Sequence, residues 1–353
     1  MNDAISSLAF AWGGHAGNGN IRVQPADFSV RESLGFTADG EGEHLLVSVR
    51  KTNANTHWVA RELAKFGRVA LRDVGFSGLK DRYAVTEQSF TLPGRGQSLD
   101  AWRSLKGDGF EVIGADLHRR KLRRGAHRYN EFEIFVRELN ADRTGLESTL
   151  QRIAMCGVPN YFGVQRFGRG GANLQAAHQW FDQGRPPADR LQRGFALSAA
   201  RAAIFNAVLS SRVAHGTWAQ LSLDDVPNLD GTNSIFTLDT LDRALIERCE
   251  RLDIHPSGPL WGKGELRSTG AVRELELATA AQFDSFAAGL AAQGLEQERR
   301  ALRLRVQNLR WEFQADGLKL FFRLSRGAFA TTVLRELIDA KSVAGGDEVE
   351  AEE

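Results

Sequence analysis

The sequence predicts an α/β (α+β) fold in which one domain is interrupted by another. Three observations point there. The first half mixes short strand patterns with helices. From about Gly157 the texture turns helical and alanine-rich. Strand character returns near the C-terminus, so the last strand is expected to rejoin the first sheet. At 353 residues the chain is longer than an average domain, and it can bury a core without disulfides or metals.

Leu45–Val49 reads as a strand, and so does Phe132–Arg137, where apolar and polar residues partly alternate. Thr56 is placed to cap a helix carrying Val59, Ala60, Leu63 and Ala64, with Gly67 as its stop. Leu146, Leu150, Ile153 and Ala154 fall at helical spacing, and Gly157 closes that helix. Ser198–Arg212 is strongly helical, with Ile204, Phe205, Val208 and Leu209 on one face. Val272–Leu302 reads as mostly helical with a break near Gly294. Leu318–Leu324 is a strand, followed after Gly327 by a helix carrying Val333, Leu334, Leu337 and Ile338.

The formal net charge is +1, from 45 basic and 44 acidic residues. That sum hides its distribution. The last seven residues, Asp347–Glu353, hold five acids, so the body carries +6 and the tail reads as disordered. Two cysteines, Cys156 and Cys249, exclude a disulfide scaffold and a cysteine-based zinc site. The N-terminus lacks a basic region followed by an apolar stretch, and no apolar run approaches the length of a membrane span. A cytoplasmic protein without membrane contact is expected.

Two glycine-rich stretches are decoys. Gly258–Gly264 has three residues between its first glycines and Gly264 where a hydroxyl should hold magnesium. Gly168–Gly171 is too short for a dinucleotide fingerprint. The eight histidines show no helical zinc spacing, so no metal is expected. Positive charge does cluster. His118–Arg128 holds six cations, two histidines and no acid, and such a run binds phosphates or forms a solvated loop. A second run, Arg299–Arg305, ends the helical middle. Aromatic residues follow both: Tyr129 and Phe132, then Trp311 and Phe313. Stacking an unpaired base on such a ring is worth roughly 1–3 kcal/mol.

The most informative stretch is Gly75–Gln88. Glycines at 75 and 78 shape a loop that delivers Asp81 between Lys80 and Arg82. Neighbouring positive charge favours the ionised carboxylate. That suits a nucleophile or charge stabiliser better than a general acid. A salt-bridged loop aspartate with no catalytic part is the competing reading of the same residues.

The Gly78-Leu79-Lys80-Asp81-Arg82-Tyr83-Ala84-Val85-Thr86-Glu87-Gln88 block resembles the catalytic signature of the TruD family of tRNA pseudouridine synthases. Further blocks match in order: Pro25–Glu32, Gly40–His44, Asn55-Thr56, Lys121–Gly125 leading into Asn130-Glu131-Phe132, Val158–Gly168 and Phe329–Leu337. The resemblance runs from about residue 20 to about residue 340. It implies a pseudouridine synthase catalytic domain with a mixed, largely antiparallel sheet, interrupted by an α/β TruD-type insertion domain. The expected division is 1–156 and 310–346 for the catalytic domain, 157–309 for the insertion, and 347–353 for the tail.

The resemblance also implies an isomerase. A uridine of tRNA, typically at position thirteen in the D-stem region, is flipped from the stack and converted to pseudouridine. No cofactor is implied. Asp81 would be the essential aspartate, either attacking the ribose carbon or abstracting a sugar proton. Phe28, Asn130 and Phe329 match positions lining the target-base site. Phe132 shares a strand face with Asn130 if the segment is extended. Lys80 and Arg22 complete the substrate-binding set. Arg119, Arg120, Lys121, Arg123 and Arg124 would hold the RNA backbone. The sequence departs from the family pattern in two places: Tyr129 stands where a glycine usually precedes the asparagine, and Arg22 where the family tends to have lysine. A monomer without an obligate protein partner is expected. The competing functions are a non-catalytic RNA-binding protein or RNA chaperone, which would not need Asp81, and a glycoside hydrolase, which would want a second paired acid.

Overall fold

The computed structural model describes residues 7–94 and 96–343, so the acidic tail at 347–353 lies outside the described residues. The chain divides into two compact units. One comprises Gly17–Asp142, Gln307–Gly327 and the chain from Ile338 onward. The other comprises the N-terminal segment ending at Ala16, Arg143–Val306 and Ala328–Leu337. The division expected from the sequence puts its cuts at 156/157 and 309/310.

The first unit is built on one sheet. Its early strands are β1 (Gly17–Ile21), β2 (Phe28–Ser33), β3 (His44–Thr52), β4 (Gly75–Phe76), β5 (Val85–Pro93), β6 (Lys106–Gly107), β7 (Phe110–His118) and β8 (Tyr129–Ala141). The strand order is Gln307–Gln314, Gly317–Ser325, β8, β2, β5, β3, β7, β6. The pair β2/β5 is parallel, as is β1 with Asp339–Ser342. The remaining pairings are antiparallel. This is the mixed, largely antiparallel sheet expected, and the late strand Gly317–Ser325 does return beside β8.

Period-two alternation decides which face is buried. Register aligns Lys51, Thr86, Val30, Phe132 and Phe322 in one row across five strands, and every one of them is buried. The opposite face carries half-buried to exposed ion pairs such as Arg31–Glu131, Arg323–Glu131 and Arg50–Glu87, which contribute little to stability. Helix α1 (Thr56–Gly67) packs Val59, Ala60, Leu63 and Ala64 into a core with Val47, Val49, Phe90, Leu92 and Trp102. Its N-cap is Asn55, not Thr56, and the chain leaves it through Arg68 in the left-handed region. The Thr56 hydroxyl is engaged by Gln88 and the Lys80 amide instead.

The second unit is largely helical. Arg190–Ala214 is long and apolar enough to cross a membrane by length and composition, which the sequence reading did not register. Here it is a core helix. Ala196, Ala199, Ala200, Ala202 and Ala203 let it pack closely with Leu174, Phe286 and Leu290. The segment read as helical over Val272–Leu302 is two helices, Gly270–Ala280 and Asp284–Ala292, and then strand at Glu298–Ala301. That strand pairs with Ser257–Leu260, so the glycine-rich decoy begins as a strand, and its Lys263 pairs with Glu296. The segment Ala328–Leu337 belongs to this unit through specific bonds. Arg335 donates to the carbonyls of Leu8 and Ala9, and Glu336 accepts from the Ala11 amide at 2.9 Å.

Candidate active site

The loop carrying Asp81 runs from β4 to β5. Gly75 permits its approach to the basic segment. A Cβ there would lie 2.6 Å from the Leu122 carbonyl oxygen and 2.8 Å from Thr91 Oγ1. Residues 77–84 have no regular structure and are held by side chains. Gln88 donates to the Gly78 carbonyl and accepts from Thr56 Oγ1 at 3.2 Å. Thr56 Oγ1 accepts from the Lys80 amide at 3.1 Å. Lys51 Nζ donates to the carbonyls of Ala54, Lys80 and Asp81 at 2.7, 3.2 and 2.8 Å. A buried ammonium is tolerated only with its donors engaged, and three carbonyls engage this one.

The backbone of Asp81 is thus fixed, and Arg22 fixes the side chain. Arg22 Nη2 lies 2.7 Å from Asp81 Oδ2, with the two side chains 11% and 20% exposed. Arg22 has φ +55°, a left-handed conformation costing a non-glycine residue of order 1 kcal/mol. The bond to Asp81 and a cation–π contact offset it. The guanidinium sits 3.9 Å from the Phe28 ring centroid, an interaction worth about 0.5–2 kcal/mol. Phe28, Arg22 and Asp81 are thus linked in sequence, ring to guanidinium to carboxylate. Phe28 is edge-to-face with Phe132, which stacks on Phe322.

Lys80 serves differently. Its Nζ lies 2.9 Å from Glu32 Oε2, and both side chains are buried. The Asp81 carboxylate is met by Arg22, some sixty residues away in sequence, while Lys80 beside it turns to Glu32. Adjacent side chains along a non-helical chain leave it in different directions.

Asn130 and Phe132 share the buried face of β8, as the period predicts. Asn130 Nδ2 lies 3.3 Å from His127 Nε2, while Oδ1 is buried with no partner among the described residues. His127 Nδ1 lies 2.5 Å from Ser77 Oγ, which also accepts from the His127 amide at 2.8 Å. Burial, followed by the charges of Lys80 and Arg326, pushes the His127 pKa down to about 4. A histidine lowered in the folded state contributes fully above the unfolded value of 6.5, and the contribution is lost as pH falls toward 4. Stability is expected to decline by roughly 2–3 kcal/mol across that window. Urea midpoints between pH 7 and 4 test this, and His127→Leu should flatten the dependence.

Tyr129 poses no backbone difficulty. It starts β8, pairs with Ser33 and Ser325, and is not among the residues with positive φ. Phe329 lies in the helical unit, half-buried, at the N-cap position of the helix Ala330–Arg335.

Of the basic residues, Arg119, Arg120, Lys121, Arg123 and Arg124 are all exposed. Leu122 anchors their loop against Leu34 and Leu46. Arg119 pairs with Glu41, Lys121 Nζ donates to the Arg72 carbonyl, and Arg124 covers the Phe76 ring. The second run does not form a comparable surface. Arg299 is buried against Glu276, and Arg303 is buried among the carbonyls of Cys249 and Ile254 and His255 Nδ1. Charge spacing in sequence does not distinguish a solvated arginine from one with a buried partner.

Sequence reasoning missed Lys51, Glu32, Gln88, Thr56, Ser77 and His127 as members of the site. A signal existed for three of them. Glu32, Lys51 and Gln88 occupy inward period-two positions after Phe28 and Val30, Val47 and Val49, and Thr86. A charged or amide side chain at such a position demands a buried partner. Among the described residues no group of histidine, cysteine, aspartate and glutamate is arranged to hold a metal ion.

A family model described as tRNA pseudouridine synthase D (TruD) matches residues 5–176 and 188–337. Curated relatives include a tRNA pseudouridine synthase D of Nitrosococcus oceani, 45% identical over 328 residues and covering 92% of each chain. Another of the same name, from Aeromonas salmonicida, is 42% identical over 342 residues and covers 97% of each. The crystal structure of a Methanosarcina mazei chain that carries the same family name, TruD, superimposes with a TM-score of 0.70. It is 20% identical and covers 93% of this chain and 95% of that one. The mixed sheet with its interrupting helical segment is therefore the α+β fold of a pseudouridine synthase. The chain belongs to the TruD family.

Proposed function

We propose that this chain isomerises a uridine of tRNA to pseudouridine, with Asp81 as the catalytic carboxylate. The observation that carries this reading is the Arg22–Asp81 pair on a loop whose backbone is clamped by Lys51, within a chain similar throughout to named tRNA pseudouridine synthases. Arg22 keeps the carboxylate in one orientation. Two routes are open to it, attack on the ribose carbon or removal of a sugar proton, and each needs an ionised carboxylate in place. The uracil is released, turned and rejoined through carbon. The base must leave its stack first, and Asn130 offers an amide edge to receive it. Phe28 supports Arg22 from below. Phe329 is read as an aromatic contact for the flipped nucleotide, and the catalytic domain as the unit that holds Asp81. The site in tRNA is taken to be position thirteen. The protein is read as a cytoplasmic monomer, which light scattering of the purified chain tests.

The direct test is chemical mapping of pseudouridine in an unmodified tRNA transcript after incubation with the protein. Conversion at a single D-stem uridine supports the proposal. Binding without conversion would favour an RNA chaperone. The exposed cations carry a separate expectation. Replacing Arg119, Arg120, Arg123 and Arg124 by alanine removes up to four phosphate neutralisations, each contributing a slope of roughly 0.7–0.9 in log affinity against log salt. Filter binding at several salt concentrations should show weaker binding and a shallower slope. An unchanged slope removes this run from the interface.

A further inference from the structure

We propose that His127 is a positioning residue that holds the Asn130 amide so that its NH2 group, and not its carbonyl, faces the target base. This rests on the reading of Asn130 as the base-contacting amide, and nothing in the resemblance assigns His127 or Ser77 a part.

The argument is one of buried hydrogen bonds. Ser77, His127 and Asn130 are each at least nine-tenths buried, so each polar atom needs a partner. Ser77 Oγ already accepts the His127 amide proton at 2.8 Å. The acceptor within reach of its own hydroxyl proton, among the described residues, is His127 Nδ1 at 2.5 Å. The hydroxyl therefore donates to Nδ1. His127 is neutral at pH 7 and carries one ring proton, which must then sit on Nε2. Nε2 is a donor and faces Asn130 at 3.3 Å. A donor there requires the Asn130 carbonyl, and a half-turn about χ2 exchanges the two amide atoms without moving anything else. In that arrangement the chain runs Ser77 Oγ–H to Nδ1, then Nε2–H to Asn130 Oδ1. The NH2 group takes the place now held by Oδ1, which has no partner among the described residues. The vacant donor is what a uracil carbonyl would satisfy. In the alternative orientation the Ser77 proton and the Asn130 carbonyl would both stay unpaired.

Two measurements test this. Nitrogen-15 NMR of the full chain should show His127 neutral with its proton on Nε2. A proton on Nδ1 overturns the assignment. Ser77→Ala removes the hydroxyl that selects the tautomer, so His127 should become a mixture and single-turnover conversion should slow several-fold. His127→Leu should slow single-turnover conversion at saturating tRNA by about tenfold, the value of one buried hydrogen bond, with tRNA affinity changed less than about threefold. His127→Gln, which keeps a donor toward Asn130, should recover most of the rate. An active parent with His127→Leu equally active overturns this inference alone. An inactive parent overturns it together with the functional reading beneath it. If His127→Leu fails to unfold cooperatively, the tautomer and Ser77→Ala decide the matter.

Discussion

Asp81→Asn is expected to yield a folded protein that binds tRNA and makes no detectable pseudouridine, a loss of about 10⁴-fold or more in rate. Asparagine is nearly isosteric with aspartate. Its Oδ1 can still accept from Arg22 Nη2, now 2.7 Å from the carboxylate, and the Asp81 carbonyl still accepts from Lys51. The stability loss should stay near 1–2 kcal/mol, because the hydrogen bond survives while its charge assistance is lost. Neither an amide nitrogen nor an amide oxygen replaces an ionised carboxylate as nucleophile or base. The exposed cations Arg119, Arg120, Lys121, Arg123 and Arg124 are untouched, so binding should persist with the same salt dependence. Quantitative mapping of product, with thermal melts and filter binding on the same preparation, checks all three statements. Pseudouridine formation by the variant would sink the assignment of Asp81.

The second large effect is one of stability. Lys80→Met is expected to cost about 3–5 kcal/mol in urea unfolding, because it leaves the Glu32 carboxylate buried without its ammonium. Among the described residues, Glu32 would retain the Ser89 amide, at 3.2 Å. Combining Lys80→Met with Glu32→Leu should recover most of the loss, since removing both charges removes the desolvation penalty. The loop carrying Asp81 should keep its path in the single variant. Thr56 still bonds the residue 80 amide and Lys51 its carbonyl, and neither bond involves the lysine side chain. The lost charge also has a measurable echo. Lys80 is one cause of the low His127 pKa, so the His127 titration should move upward. A variant as stable as the parent but with much poorer kcat/KM would show that Lys80 reaches the substrate instead.

Much of the fold was legible because it follows from local rules. The strands at Leu45–Val49, Phe132–Arg137 and Leu318–Leu324 appear within His44–Thr52, Tyr129–Ala141 and Gly317–Ser325, since periodicity reports which residues must be covered. Gly157 does close the helix Arg143–Cys156, with φ +75° and the Leu304 carbonyl 2.3 Å from where a Cβ would stand. Over Val272–Leu302 the composition misled. Alanine favours helix over the first part, but Glu298–Ala301 is a strand because Ser257–Leu260 offers it a pairing edge. Thr56 misled in another way. A threonine opening a helix reads as a cap, yet its hydroxyl is drawn to Gln88 and the Lys80 amide, partners brought near only by the fold.

By itself the sequence determined three long strands of the sheet and the return of the last of them, and it singled out Asp81 through a motif. Each depends on spacing along the chain or on a motif, which sequence records directly. Only the tertiary structure decided which charge meets which. It put Arg22 on Asp81, turned Lys80 to Glu32, buried Arg299 and Arg303 while leaving Arg119, Arg120, Lys121, Arg123 and Arg124 exposed, and joined Ser77, His127 and Asn130. A side chain's charge is written in its residue type. Its partner is set by which strands lie side by side and how far the solvent reaches, and neither is a property of neighbours in sequence.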